Sequence, residues 1–514
     1  MTTDPVAPVP AVEVFEEIDW APKPILRPGM DYHDGTTYFT IPLTRNVVKM
    51  TKGTKDKPGT PVQTKELQTF TISSTHEGFW YDKEALDIEG FRPSEQVYQE
   101  QNTRWSSASA KAYLDGETPD VRSKDLFTLL RSIYTTYVEF SDEVAYDLMA
   151  LFVMYTYAFR LFQSTGYVHF HGTQASGKSR NLAILNVLAF NTVWASSMSA
   201  ASLYRKLAGS PGTSCIDETE GFDGERGEEL RRILNAGYKD GAKVIRTEKT
   251  TNDRYVPVEY DVFGPKALAS INPLEPVIAS RCIVMGMRPA IRELPDFDTH
   301  SPRWGEVRDS LYLWAMANAQ RLHDLTVEWR GDKKARLAPK LIGRQWETGQ
   351  QFVILADLTG GEKFASRVID YLNAYFIKQQ DAANATDRLR TTLRALPRVL
   401  AGKAAHPGFM YTAKDIHEVI SGYMEEDAKE YFKTKHVLKN LDTIGFRNKA
   451  RATGGVRIML TEEDVRRELL QRRVDPYPED MEWLAGKVSY QNNIHPNDPK
   501  DVEPWWENDT EDKT

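Results

Sequence analysis

The chain has 514 residues, 41% apolar and 27% charged, with 65 basic side chains against 73 acidic for a formal net charge of −8. At about 150 residues per domain this length allows two to four domains with a sizeable core, and the composition excludes wholesale disorder and a fibrous class. Two cysteines, Cys215 and Cys282, exclude a disulfide scaffold and a cysteine-only zinc site and suit a reducing cytoplasm.

Residues 1–30 are Pro-rich and aperiodic; they predict a disordered, solvated arm and contain neither the basic nor the apolar region of a secretory signal. Residues 31–124 predict a small β-containing N-terminal domain, because the period-2 stretches TTYFTI (36–41) and LQTFTI (67–72) flank the loop MTKGTKDKPGTP (50–61). From residue 125 the pattern is helical. The apolar run from Leu148 to Phe159 is bounded by Asp147 and Arg160, is too short to span a bilayer and reads as a buried helix, so no membrane partner is expected. The strand-like YVHFH (167–171) opens a stretch of alternating strand, loop and helix, an α/β signature assigned to 125–300 with its preceding helices. Residues 301–382 are helical again, 383–474 form a basic helix-rich module, and 475–514 form an acidic tail.

HGTQASGKS (171–179) fits G-x-x-x-x-G-K-[ST], through Gly172, Thr173, Gln174, Ala175, Ser176, Gly177, Lys178 and Ser179. Glycines let backbone N–H groups fold around phosphate oxygens, Lys178 brings a point charge to the β/γ-phosphates, and Ser179 can ligate Mg²⁺. The alternative is an ordinary Gly-rich turn. The strand before it and the amphipathic helix RNLAILNVLAF after it favour phosphate, since that helix aims its positive end at the anion. The segment GTSCIDE (212–218) then supplies Asp217 as a partner for Mg²⁺ and Glu218 as the base that orients water, while Thr219, Glu220 and Phe222 have no assignable role. The expected cofactors are ATP and Mg²⁺.

The order HGTQASGKS, SAASLYRKL, SCIDETEGF, ELRRILNAGYKDGAKVIR, FGPKALASINPLEPVIASRCIVMGMR resembles phage- and plasmid-encoded P-loop replication ATPases. These are relatives of the AAA+ superfamily and include superfamily 3 and minichromosome maintenance helicases. The resemblance covers about 165–360 and leaves 1–124 outside. It implies an α/β fold: a P-loop AAA+-like ATPase core with a helical lid, beside the small N-terminal β-containing domain. In ALASINP (267–273) it implies that Asn272 contacts the γ-phosphate or its attacking water. In ASRCIVMGM (279–287) it implies that Arg281 is an arginine finger reaching a neighbouring subunit's ATP, with Arg288 the runner-up. GRQWETGQQFVILADL (343–358) resembles the lid, making Arg344 a nucleotide-sensing candidate beside chemically equivalent Arg336 and Arg367. A finger acting between subunits implies a homo-oligomeric ring, a hexamer, working in a bacterial host cytoplasm.

KVIRT and YVPVEY, joined by EKTTND, stand where such proteins carry a hairpin that follows single-stranded DNA in the ring channel; Lys243, Arg246, Lys249 and Arg254 would contact phosphates. Acids dilute this hairpin, and a solvated surface hairpin is the bland alternative. The 383–474 module reads helix, helix, helix, Gly-containing turn and strand, the order of a winged helix. Its Lys433, Lys435, Lys439, Arg447, Lys449, Arg451 and Arg457 face one acid, Asp442, which suits duplex DNA; a protein-binding winged helix is the alternative. From Asp475 to Thr514 eleven acids oppose three lysines, so the whole imbalance of −8 belongs to a tail suited to docking a replication protein or to plain solubility. The expected function is an ATP-dependent ring-forming DNA helicase of phage or plasmid replication. An origin-binding initiator or helicase loader is the alternative, and a small-molecule kinase leaves Arg281 and the basic module unexplained.

Overall fold

The computed structural model describes residues 23–50, 60–94, 104–117, 119–195, 199–217, 224–249, 254–385, 388–402, 410–424, 432–446, 449–452, 455–472 and 474–484. It is a mixed α/β protein that divides into two compact units, Met1–Asn373 and Ala374–Thr514.

The first unit opens with an antiparallel sheet of β1 (Met30–His33), β2 (Thr36–Met50), β3 (Pro61–Ser73) and β4 (Gly78–Trp80), in that order. The two period-2 stretches of the sequence are neighbours in it, paired from Tyr38↔Ser73 to Met50↔Pro61. Residues 23–30 correct the expected solvated arm: Ile25–Leu26 pairs in parallel with Arg92–Pro93, and Leu26 and Met30 are fully buried. Removing two such side chains from water stabilises by about 1.5–3 kcal/mol each, enough to hold the segment down. The N-terminal sheet also belongs to the same compact unit as the following α/β segment. Fully buried Phe39 reaches Trp105, Phe190 and Tyr312 at ring centroid distances of 6.2, 5.4 and 5.0 Å, an aromatic cluster contributed from four parts of the chain.

Helices α1 (Ser123–Tyr137) and α2 (Glu143–Thr156) follow; every residue of α2 from Ala145 to Thr156 is buried, as expected of a helix apolar on all sides. Among the described residues no helix is long and apolar enough to cross a membrane. The central sheet is parallel: β5 (Tyr167–Gly172), β6 (Val193–Ala195), β7 (Ser214–Ile216), β10 (Lys266–Ser270) and β11 (Cys282–Met287), in the spatial order β11-β5-β10-β7-β6. Between β7 and β10 a separate antiparallel pair, β8 (Lys243–Lys249) and β9 (Tyr255–Asp261), leaves the sheet as a hairpin. Around these strands lie α3 (Lys178–Leu188), α4 (Gly224–Ala236), the long α5 (Arg303–Arg330) and α6 (Arg344–Ala385), which breaks at Gly360 and Gly361, the latter at φ +70°.

The second unit packs α7 (Arg388–Gly402), α8 (Ala413–Ser421), α9 (Thr434–Ile444) and α10 (Glu462–Gln471) against a sheet ordered β12 (Met410–Thr412), β14 (Gly455–Met459), β13 (Lys449–Ala452). Leu396, Ile416, Leu441, Ile458 and Leu469 are fully buried at its centre. Thr412 and Asp415 form a capping box that starts α8. The acidic tail also needs correction at its root. Asp480 is fully buried against Arg398 at 2.9 Å, and Tyr477 stacks on Tyr423 at 3.8 Å, so 474–484 belongs to the packed unit. Residues 485–514 lie outside the described residues.

Candidate nucleotide site

In open parallel α/β sheets, ligands gather at the carboxyl ends of the strands. Here that edge carries the loop from Gly172 to Ser179, which ends β5 and begins α3. Gly172 has no room for a side chain, because a Cβ there would stand 2.2 Å from the Met287 carbonyl oxygen. Ala175 at φ +59° and Gly177 at φ +88° alternate with neighbours of negative φ, a pattern that can turn successive N–H groups into one concavity. Lys178 Nζ donates to the carbonyls of Gly172 and Thr173, both at 2.7 Å, which holds the ammonium over that concavity. Ser176 Oγ is buried and has no hydrogen-bond partner among the described residues, as a donor meant for a ligand oxygen would be.

Asp217 follows β7 directly, and Ser179 Oγ donates to its Oδ2 at 3.4 Å. Asn272 lies two residues beyond β10, a strand paired in parallel with both β5 and β7, so its backbone emerges between the Gly172 loop and Asp217. Ser270 Oγ donates to the Asn272 carbonyl at 2.6 Å and fixes that turn. Lys178, Ser179, Asp217 and Asn272 thus share one edge. Glu218, with Thr219, Glu220 and Phe222, lies outside the described residues.

A cavity of about 290 Å³ adjoins this loop, lined by Tyr137, Ser176, Arg180, Met287 and Arg288 among others. Its roof is the segment after β11. Glu139 accepts from the backbone N–H groups of Ile291 and Arg292, both at 3.1 Å, and Arg292 Nη2 donates to the Val138 carbonyl at 2.8 Å. Sequence reasoning missed this clasp, whose partners stand about 150 positions apart with no local signature.

Arg281 lies at the other end of the sheet. Cys282 pairs with Tyr167 and Met287 with Gly172, so Arg281, six positions before Met287, stands about 20 Å along the strand from its own loop at roughly 3.3 Å per residue. Its guanidinium is 5.5 Å from the Tyr238 ring centre, and that of Arg344 is 5.1 Å from the same ring. Burial, then the nearby Arg344, lowers the Arg281 pKa below its ordinary value. Arg344 lies on this same side. The first turn of α6 packs beside Tyr238 and the start of β11, so Arg344 is not among the side chains gathered at the Gly172 loop. Its chemical equivalents are ion-paired elsewhere, Arg336 with Glu362 at 2.7 Å and Arg367 with Asp147 at 2.5 Å.

The hairpin pairs in register from Lys243↔Asp261 to Lys249↔Tyr255. Two of its expected phosphate contacts are already paired: Lys243 with Glu259 at 2.5 Å and Arg246 with Glu229 at 3.3 Å, the first a diagonal cross-strand neighbour. Lys249 and Arg254 flank residues 250–253, which lie outside the described residues. The hairpin's foot is anchored by buried charge. Arg160 pairs with Asp240 at 3.5 Å and Asp261 at 3.0 Å, and Lys266 Nζ donates to the carbonyls of Val262 at 2.9 Å and Gly264 at 3.0 Å. Burial pulls the Lys266 pKa down to about 7.

In the second unit Lys433, Lys435 and Lys439 are exposed on and before α9. Lys449 pairs with Asp442, which removes it from the expected free basic surface, and Arg457 is partly buried on β14. Arg447 and the Arg451 side chain lie outside the described residues.

No protein-family model matches the chain, and no curated protein matches it. Among solved structures, a full-length MCM homolog from Methanopyrus kandleri is 12% identical, with 66% of this chain and 78% of that one covered at a TM-score of 0.32. The SCCmec type IV Cch active helicase is 13% identical, covering 69% and 76% at 0.33. The C-terminal region of NrS-1 is 11% identical, covering 57% and 85% at 0.26. At such TM-scores these likenesses carry no argument about function.

Proposed function

We propose that this chain binds and hydrolyses ATP through a P-loop AAA+-type core and, as a ring, drives DNA strands apart in phage or plasmid replication. The observation that supports it is the convergence of Lys178, Ser179, Asp217 and Asn272 on one edge of a parallel sheet, with a ready cavity beside them. Lys178 and the inward N–H groups bind the triphosphate, and the cavity under the Glu139–Arg292 clasp takes the base and excludes water. Ser179 and Asp217 suit a hydrated Mg²⁺, which when bound neutralises phosphate charge. Asn272 orients the attacking water and Glu218 takes its proton. Arg281, about 20 Å from its own loop along β11, is too far from that loop to serve it and would serve a neighbouring subunit, which is the basis for a ring, a hexamer by analogy.

The helical segment 301–382 acts as the lid. The second unit acts as a winged helix, with Lys433, Lys435 and Lys439 neutralising duplex phosphates ahead of the β13–β14 wing. The alternative, an initiator or loader that does not itself unwind, is favoured by one observation: Lys243 and Arg246 of the hairpin already hold carboxylates. Strand displacement on a forked duplex with ATP separates the two. ATP-driven displacement that disappears in Lys178→Ala identifies the motor. DNA-stimulated hydrolysis without displacement identifies the loader, and no ATP hydrolysis at all refutes both.

A further inference from the structure

β5 and β10 run side by side in parallel, with Leu268 opposite His169 and Ser270 opposite His171. Side chains alternate across a strand, so these four share one face of the sheet. Towards the other end of that face the neighbours are apolar: Tyr167, Leu268 and Ile216 belong to one buried cluster with Tyr238 and Cys282. His169 and Ser270 are each only 2% exposed. A buried imidazole and a buried hydroxyl cost free energy unless they are hydrogen-bonded, and an apolar pair of similar shape would serve packing about as well. Their presence therefore calls for a reason other than packing.

The hydrogen bonds supply one. His169 Nε2 lies 2.6 Å from Ser270 Oγ, and Ser270 Oγ donates to the Asn272 carbonyl at 2.6 Å. A hydroxyl has one proton to give, and a carbonyl can only accept. The Ser270 proton is thus committed to Asn272, and the His169 Nε2–H must donate to Ser270 Oγ. The three groups form a directed chain, imidazole to hydroxyl to carbonyl, from the interior of β5 to the turn after β10. In that turn Ile271, Asn272 and Pro273 are all exposed, so packing does little to fix it. β5 is also the strand that ends in the phosphate loop, with His169 three residues before Gly172. The chain therefore ties the Asn272 turn to the strand that carries that loop.

We propose that His169 is a positioning residue for hydrolysis: acting through Ser270, it holds the Asn272 turn in register with the phosphate loop, so that the Asn272 side chain meets the attacking water. The inference rests on the ATPase reading of the site and on the role of Asn272 within it.

The test measures steady-state ATP hydrolysis by the full chain, with a thermal midpoint recorded for every variant. His169→Phe keeps a ring and removes the donor. It should lower kcat about 10- to 100-fold, the range for a misplaced reacting group, while KM for ATP stays at the parent value. His169→Gln, whose amide can reach the same hydroxyl, should recover most of that loss. Ser270→Ala should match His169→Phe, and the two together should be no slower than either alone. Added to Asn272→Ala, His169→Phe should cost nothing further, because the residue it positions is already gone. A merely structural role has the opposite signature: losses that add to that of Asn272→Ala, follow the thermal midpoints and are not recovered by His169→Gln. Those results, or a His169→Phe variant with the parent kcat, overturn the proposal while Asn272→Ala remains slow. A parent chain without ATP hydrolysis, or Asn272→Ala at the parent rate, overturns the reading of the site itself and the proposal with it, so the two failures are told apart.

Discussion

Ser179 Oγ lies 3.4 Å from Asp217 Oδ2, a hydroxyl and a carboxylate 38 positions apart that the parallel pairing of β5, β10 and β7 brings to one edge. If the pair holds the cation, Asp217→Asn should raise the Mg²⁺ concentration for half-maximal ATP hydrolysis about 10- to 100-fold, the usual effect of losing a metal-positioning group. Identical Mg²⁺ titrations for variant and parent would remove Asp217 from the site.

Arg292 forms the clasp that roofs the adjacent cavity through the Val138 carbonyl at 2.8 Å. Arg292→Ala should loosen the roof without touching the phosphate loop. Its expected signature is a KM for ATP raised about 10-fold with kcat within about twofold, the split expected when uniform binding is lost. A fall in kcat alone would contradict the cavity's assignment to the base.

Arg281 stacks on Tyr238 far from its own loop. If Arg281 completes a neighbouring subunit's site, Arg281→Ala should lower kcat by about 10³-fold. Mixed with wild-type chains, it should depress activity more steeply than the wild-type fraction predicts. Activity strictly proportional to that fraction refutes a role in trans.

Lys266 is fully buried with its pKa pulled down to about 7. Between pH 7 and about 8.5 the unfolded chain keeps this proton while the folded chain has lost it, so raising the pH favours the folded state. Stability should therefore rise by about 1.4 kcal/mol per pH unit from this group alone. Denaturant titrations at several pH values should show that rise in the parent and a flatter profile in Lys266→Met.

Phe39 ties the N-terminal sheet to Trp105, Phe190 and Tyr312. Phe39→Ala should destabilise the first unit by about 3–5 kcal/mol through the cavity it leaves. The loss should appear in calorimetry as a lowered transition for that unit, with the N-terminal sheet following the α/β segment rather than melting separately.

What the sequence determined by itself was local. The string HGTQASGKS dictates a strand, a Gly-rich turn and a helix within nine residues, and CIDE marks a strand end carrying a carboxylate, because each depends on neighbours in the chain. The hairpin strands and the strand β14 after its glycine turn were legible for the same reason, as alternation beside polar or glycine turns, whereas β13 was not. Glu218 and the 485–514 tail were equally visible as sequence and lie outside the described residues.

The tertiary structure decided everything that depends on which distant segments meet. It joined Ser179 to Asp217, moved Arg344 to the Tyr238 side, engaged Lys243, Arg246 and Lys449 with carboxylates, and buried Asp480 under Arg398. It also closed the Glu139–Arg292 clasp and set Arg45 upon Trp80. The physical reason is the range of the forces. Backbone preferences and periodicity act over a few residues, whereas the state of a charge depends on its burial and on partners delivered by strand order. The net charge of −8 illustrates the division: the sequence locates the acidic excess in its last forty residues, and only the fold separates the cations still exposed from those already paired.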